Sequence, residues 1–365
     1  VTPTLRRRIG FEIELMAPAG RSRRSLAYDL AGRHGGRIRP VWHQDSEPSL
    51  VPGLGRFLHL TQGFEVIRPP GQPSDRSRAA GGAVGWGSPM CTLVDDITLL
   101  DDLDPRTPPP PGWYRILSDD ARLLSLLSAR CDASAPLREV LDPVAALWGT
   151  AIEEIGDVVR LDDPSGATVA LAAPQGAERE RPCEIVTPPI SKNHHESLEE
   201  LLEPARDLGF TVPHEAAVHL HFDGAPFRQP YALANVIRLF AHWREPLRQL
   251  LRTNPACRRL AALPDELVAA AEDPTLDGLR KAADASELTK YFDVNLTQLF
   301  KARPLRDTLE IRILPGAIDA DPIINQAALV ELLLDRCLDP EPFPAAPAGG
   351  VSGLMEIAAE SLAQR

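Results

Sequence analysis

Near its beginning the chain carries two glutamates set two apart among three apolar residues, in the string Gly10-Phe11-Glu12-Ile13-Glu14-Leu15. On a β-strand this spacing puts Phe11, Ile13 and Leu15 on one face and Glu12 and Glu14 on the other. Neighbouring carboxylates repel unless a cation lies between them or water surrounds them, and for a single such string the solvated face is a sufficient reading. Three more strings repeat the pattern: Cys183-Glu184-Ile185-Val186, Val218-His219-Leu220-His221-Phe222 and Leu309-Glu310-Ile311-Arg312-Ile313. Their polar faces would carry Glu12, Glu14, Glu184, His219, His221, Glu310 and Arg312. An ordinary solvated face would mix in Thr, Ser, Lys and Gln, whereas this set consists of groups that bind hard cations or phosphate.

Each of these strings is short and alternates with period two. The later ones stop at turn signals, Thr187-Pro188-Pro189, Asp223-Gly224 and Pro315-Gly316, so each reads as a half-buried strand. Between them the sequence predicts helices over residues 25–34, ending at Gly35-Gly36, over 119–130, 143–155, 196–208 and 230–252, and from Asp321 as N-cap with Pro322 at the first helical position to about 338. Residues 57–67 read as a strand and Asp163-Pro164-Ser165-Gly166 as a hairpin turn. The texture changes between residues 47 and 182. A Gly/Pro/Ser-rich loop from 69 to 89 contains the run Gly81-Gly82-Ala83-Val84-Gly85-Trp86-Gly87, which lacks the strand-then-helix setting of a phosphate loop and reads as a surface loop.

At 365 residues and 44% hydrophobic content the chain can bury a substantial core. The formal charge of −12 argues against sequence-independent nucleic-acid binding, which needs a basic surface. No apolar run approaches membrane-spanning length, and no basic stretch precedes an apolar one as in a signal peptide. Cys91, Cys131, Cys183, Cys257 and Cys337 are widely spaced without a CxxC pair, which predicts reduced thiols in a cytoplasmic protein. No GxxxxGK[ST] motif is present, so a nucleotide would be held by arginines, metals and backbone.

The motifs, in their order, resemble the amidoligase family of carboxylate–amine ligases, within the glutamine synthetase and glutamate–cysteine ligase fold group. The likeness rests on Gly10 to Glu14, on Asp45-Ser46 after a tryptophan, on Glu184-Ile185-Val186-Thr187-Pro188-Pro189, on His219-Leu220-His221, and on Lys290-Tyr291 through Asn295 to Glu310-Ile311-Arg312 and Gly316-Ala317-Ile318-Asp319. It implies an α+β fold in which a curved antiparallel sheet, with helices packed on one face, presents carboxylates and a histidine to two or three Mg²⁺ ions that hold ATP. Residues 1–46 and 183–365 would then form the catalytic domain. Residues 47–182, longer than the family's usual passage between these motifs, would be an insertion acting as a lid or recognising substrate or a protein partner.

The chemistry implied is ATP-dependent amide-bond formation between small-molecule or peptide carboxylate and amine substrates. A carboxylate is a poor electrophile, and transfer of the γ-phosphoryl group of ATP converts it to an acyl phosphate. The metal ligands would be Glu12, Glu14, Glu184 and Glu310, since Mg²⁺ prefers oxygen. Arg312, beside Glu310, would stabilise charge on the transferring group. His219, His221 and Lys290 are candidates for ATP or metal contacts, and Asp45, Arg303 and Arg306 for substrate or phosphate contacts. His194-His195 reads as a helix start, because adjacent residues point apart. Two rival readings are a zinc-dependent hydrolase using the His219/His221 pair, which would need a third ligand, and a non-catalytic member of the fold that binds a partner.

Overall fold

The computed structural model describes residues 3–48, 56–70, 87–257, 259–304, 306–346 and 350–365. Most of the glycine-rich run, residues 81–86, and most of the loop placed at 69–89 lie outside the described residues. The chain is mixed α/β. Its first part runs β1 (Ile9–Met16), α1 (Arg23–His34), β2 (Arg37–Pro48), β3 (Arg56–Ile67), β4 (Pro89–Val94), β5 (Tyr114–Ser118), α2 (Ala121–Arg130), α3 (Asp142–Trp148), β6 (Ile152–Ile155), β7 (Val158–Asp162), β8 (Thr168–Pro174) and β9 (Pro182–Val186). The remainder runs α4 (His194–Asp207), β10 (Ala217–Asp223), a 3-10 turn (Ala225–Arg228), α5 (Pro230–His242), α6 (Arg244–Leu250), α7 (Asp265–Ala270), α8 (Leu276–Ala285), β11 (Val294–Asn295), α9 (Thr297–Phe300), β12 (Thr308–Pro315), α10 (Ala320–Cys337) and α11 (Val351–Ala363).

By compactness the chain forms two units. The first comprises residues 1–14, 187–203 and 214–365, and the second residues 15–186 and 204–213. The stretch 47–182 therefore lies wholly in the second unit, together with residues 15–46.

In the first unit the antiparallel strands lie in the order β11-β12-β10-β1. Phe11, Ile13, Val218, Leu220, Phe222, Leu309, Ile311 and Ile313 are removed from water, as the alternation of apolar residues requires. Helix α10 packs against α5 and α11, and α11 against α6. In the second unit the order is β9-β4-β3-β5-β8-β7-β6, with β2 paired along the length of β3. Leu60, Tyr114, Ile116, Leu124, Leu127, Val144 and Leu161 form a core that α2 and α3 share with the strands.

Most of the elements expected from pattern are present, and the differences have local causes. Instead of one helix over 143–155, α3 stops at Gly149, whose φ of +69° suits glycine, and the chain continues as β6. The helix expected over 230–252 is two, α5 and α6, broken at Trp243. Pro246 cannot donate the backbone hydrogen bond that would continue the first into the second. Helix α10 is capped at Asp319, not Asp321, so Pro322 sits inside the first turn. Strand β2, with Pro40 as its fourth residue and polar side chains on both faces, gives too weak an alternation to be read from sequence.

Candidate functional site

The site grows out of strand register in the first unit. On β1 and β10, Glu12 lies opposite His219 and Gly10 opposite His221. On β10 and β12, His221 lies opposite Glu310, and on β11 and β12, Asn295 lies opposite Glu310. Directly opposed residues project from the same face, so four strands bring these side chains together on one surface. The β10–β12 register shifts between Val218 and Leu220, a bulge where β12 carries Arg312 past His219. At Gly10 an added Cβ would lie 3.4 Å from the His221 Cβ, within contact distance.

His221 Nε2 lies 3.1 Å from Glu12 Oε1, and its Nδ1 lies 3.3 Å from Thr308 Oγ1. His219 Nδ1 is 3.4 Å from Glu12 Oε2 and 3.8 Å from Glu310 Oε1, while its Nε2 is 3.5 Å from Glu14 Oε1. The backbone N–H of Ala217 donates to Glu14 Oε2 at 2.7 Å. Arg312 donates through Nη1 to Glu310 Oε1, and Asn295 Nδ2 donates to Glu310 Oε2 at 2.6 Å. From the rim, Arg306 reaches Glu12 Oε1 at 3.1 Å.

These groups set one another's charge. Burial works to raise the Glu12 carboxyl, but His221 and His219 outweigh it and hold Glu12 well below the usual carboxylate range. At Glu310 burial is likewise outweighed, chiefly by the Arg312 guanidinium, and the carboxyl is lowered. Burial and the nearby Arg312 charge lower the His219 imidazole. His221 is also pushed down by burial, yet the Glu12 and Glu310 carboxylates raise it overall. Arg312 is raised against its own burial by Glu310. The surface therefore holds two ionised carboxylates with their cations close by.

Glu12, His221 and Glu310 each offer one ligand atom, and these atoms lie within 4.8 Å of one another, the sole such group among the described residues. That is close to the roughly 3–4 Å separations imposed by a six-coordinate Mg²⁺ with ligands at about 2.1 Å. Two carboxylate oxygens and one imidazole nitrogen suit a divalent cation, so the residues present fit a metal.

The other expected residues have different places. Glu184 is half-buried on β9 of the second unit, where it pairs across to Val94 on β4. Asp45, on β2 of that unit, accepts a hydrogen bond from its neighbour's backbone, Ser46 N, at 2.7 Å. Lys290 places its ammonium 5.7 Å from the ring centre of Tyr291, and Arg303 is exposed. His194 and His195 begin α4 and turn to separate partners, the Arg7 carbonyl and Asp321. Asn295 stands in the motif order but the sequence gives it no role in the site, and the sequence does not single out Thr308 or the buried Asp293, which pairs with Arg244 and Arg248 at 2.8 Å each. The alternation Asp293-Val294-Asn295 was the available signal, but three residues are too few to establish a period.

A family model described as "putative amidoligase enzyme" matches residues 5–334. No curated protein matches the chain.

Proposed function

Since this chain belongs to the amidoligase family, we propose that it is an ATP- and Mg²⁺-dependent carboxylate–amine ligase of the glutamine synthetase-like fold group, working through an acyl phosphate. The observation that carries this reading is the convergence of Glu12, His221 and Glu310 on one strand face, with Arg312 bonded to Glu310. In the reaction a substrate carboxylate oxygen bonds to the γ-phosphorus of ATP as the bond to the ADP oxygen breaks. The amine nitrogen then bonds to the acyl carbon, phosphate leaves with the former carboxylate oxygen, and the amine gives up a proton. The products are an amide, ADP and phosphate.

Glu12, Glu310 and His221 would hold Mg²⁺, with Glu14 as a further carboxylate for an additional ion. When bound, the cation would neutralise phosphate charge and draw ATP to this face. Arg312 keeps its positive charge under all ordinary conditions and presents planar donors suited to phosphate oxygens. Arg306 now pairs with Glu12 from an exposed position, and in the loaded site its guanidinium can exchange that carboxylate for a phosphate. In the same unit, Lys290 would contact ATP and Arg303 the substrate. The zinc hydrolase reading would want both imidazoles in one donor group, whereas His221 alone enters it.

Calorimetry with ATP, with Mg²⁺ present or chelated, tests the binding, and ADP release over a panel of acid and amine pairs tests the reaction. The proposal expects ATP binding that requires Mg²⁺ and a product heavier than the acid by the amine less one water. ATP binding that is indifferent to chelation would overturn it, and absence of nucleotide binding would favour a partner-binding role.

A further inference from the structure

Strand β11 is two residues long, yet it sets Asn295 directly against Glu310. Asn295 is buried, and its Nδ2 donates to Glu310 Oε2 at 2.6 Å. Its Oδ1 accepts from Thr297 twice, from the backbone N–H at 3.0 Å and the hydroxyl at 2.6 Å. Chemistry fixes that orientation. A flipped amide would set its NH₂ against the Thr297 backbone N–H and its oxygen against a carboxylate, two repulsive contacts in place of attractive ones.

The turn-capping bonds to Thr297 explain an asparagine at the start of α9 without invoking any function. They leave unexplained why the remaining NH₂ is aimed at a buried carboxylate. With Asn295 on Oε2 and Arg312 on Oε1, both oxygens of Glu310 are tied, and the carboxylate plane is set by two fixed donors. The short strand is itself pinned. The Arg312 N–H donates to the Asp293 carbonyl at 3.1 Å, and the Asp293 carboxylate is held by Arg244 and Arg248 of α6.

We propose that Asn295 is a positioning residue for Glu310, its orientation set by Thr297, and that it aims the Glu310 carboxylate for cation binding. The inference rests on the reading of Glu310 as a metal ligand. A carboxylate free to turn about its last bond would have to be ordered when the cation binds, whereas one already held loses little freedom. Outer partners of this kind are generally worth about 10–100-fold in metal affinity.

The test is Mn²⁺ affinity of the full chain, read from the electron paramagnetic resonance signal of unbound Mn²⁺, with thermal melts of each variant alongside. Asn295→Ala is expected to weaken Mn²⁺ binding about 10–100-fold. Thr297→Val removes the hydroxyl donor at nearly constant shape and is expected to weaken binding in the same direction, while Thr297→Ser keeps the donor and is expected to bind as the unaltered chain does. If Asn295→Ala fails to fold, the two Thr297 variants decide the matter. Unchanged affinity in folded Asn295→Ala, or equal loss in Thr297→Val and Thr297→Ser, would overturn the positioning role and leave the metal site standing. Absence of Mn²⁺ binding by the unaltered chain would remove the functional reading, and this inference with it.

Discussion

Glu310 has both carboxylate oxygens engaged: Arg312 and Asn295 bond one each, and His219 lies 3.8 Å from one of them. Its ion pair with Arg312 is nearly removed from water, with side-chain exposures of 9% and 12%. Removing one partner of a buried pair strands the other, at a cost of about 3–5 kcal/mol. Arg312→Ala is therefore expected to lower the denaturant midpoint clearly, and also to lower kcat about 10²-fold or more if the guanidinium stabilises the transferring phosphoryl group. Arg312→Lys separates the two effects. It is expected to recover much of the stability and little of the turnover, because an ammonium keeps the charge without the planar donors. Near-normal turnover in a folded Arg312→Ala would restrict the residue to its ion-pair role. Glu12 offers a second check, since it contacts both histidines and Arg306. Glu12→Gln keeps the shape but removes the charge, and isothermal titration is expected to show Mg²⁺-dependent ATP binding weakened at least 10-fold. Unaltered binding would take Glu12 out of the metal site.

At the scale of elements, the two glycines after α1 make a sharp contrast. Gly35 ends the helix with φ of +60°, and a Cβ there would meet open space. Gly36 has ordinary φ, yet a Cβ there would lie 2.5 Å from the Ile67 carbonyl oxygen on β3, a backbone atom that cannot step aside. Gly35→Ala is expected to cost about 1 kcal/mol, the strain of left-handed backbone in an L-residue. Gly36→Ala is expected to cost more, because the start of β2 and the end of β3 must separate for the methyl group to fit. Chemical denaturation of both variants tests the order, and equal costs would mean that β3 yields more easily than its pairing with β2 and β4 suggests. Helix α2 supplies a simpler case. Asp120 caps it by accepting from the Arg122 N–H, and Asp120→Ala is expected to cost about 1 kcal/mol.

Across the whole molecule the five cysteines remain thiols. Cys91, Cys131, Cys183 and Cys337 are buried, and Cys257 is partly exposed. Burial pushes the Cys91 thiol up to about 12 and the Cys131 thiol up to about 11, and it raises Cys183 and Cys337 as well. Since the thiolate is the reactive form, these four have neither access nor ionisation. A thiol reagent at neutral pH is expected to modify Cys257 alone in the native protein and all five in denaturant. Fast labelling of a second cysteine, located by peptide mass spectrometry, would show that one of the units opens readily. No helix among the described residues is long and apolar enough to cross a membrane.

The sequence alone determined what a strand's own geometry determines. A period of two puts Glu12 with Glu14, His219 with His221 and Glu310 with Arg312, whatever lies beside those strands, and it likewise buries Phe11, Leu220 and Ile311. The order of the motifs was enough to indicate the family that the match over residues 5–334 shows. The sequence could not say which strands are neighbours or in what register, because those contacts join residues as far as 207 positions apart, as Glu12 and His219 are, and no local pattern encodes them. Register put His221 between Gly10 and Glu310, and so set His221 rather than His219 in the group of ligand atoms close enough together to hold a cation. Opposite Val218 to Leu220 of β10, β12 carries one residue more, and an extra residue in one strand leaves no mark in composition. The role of Asn295 beside Glu310 was not legible for a related reason. A two-residue strand has no period of its own, and Asn295 lies beside Glu310 only because pairing with β12 and the ion pairs of Asp293 hold it there.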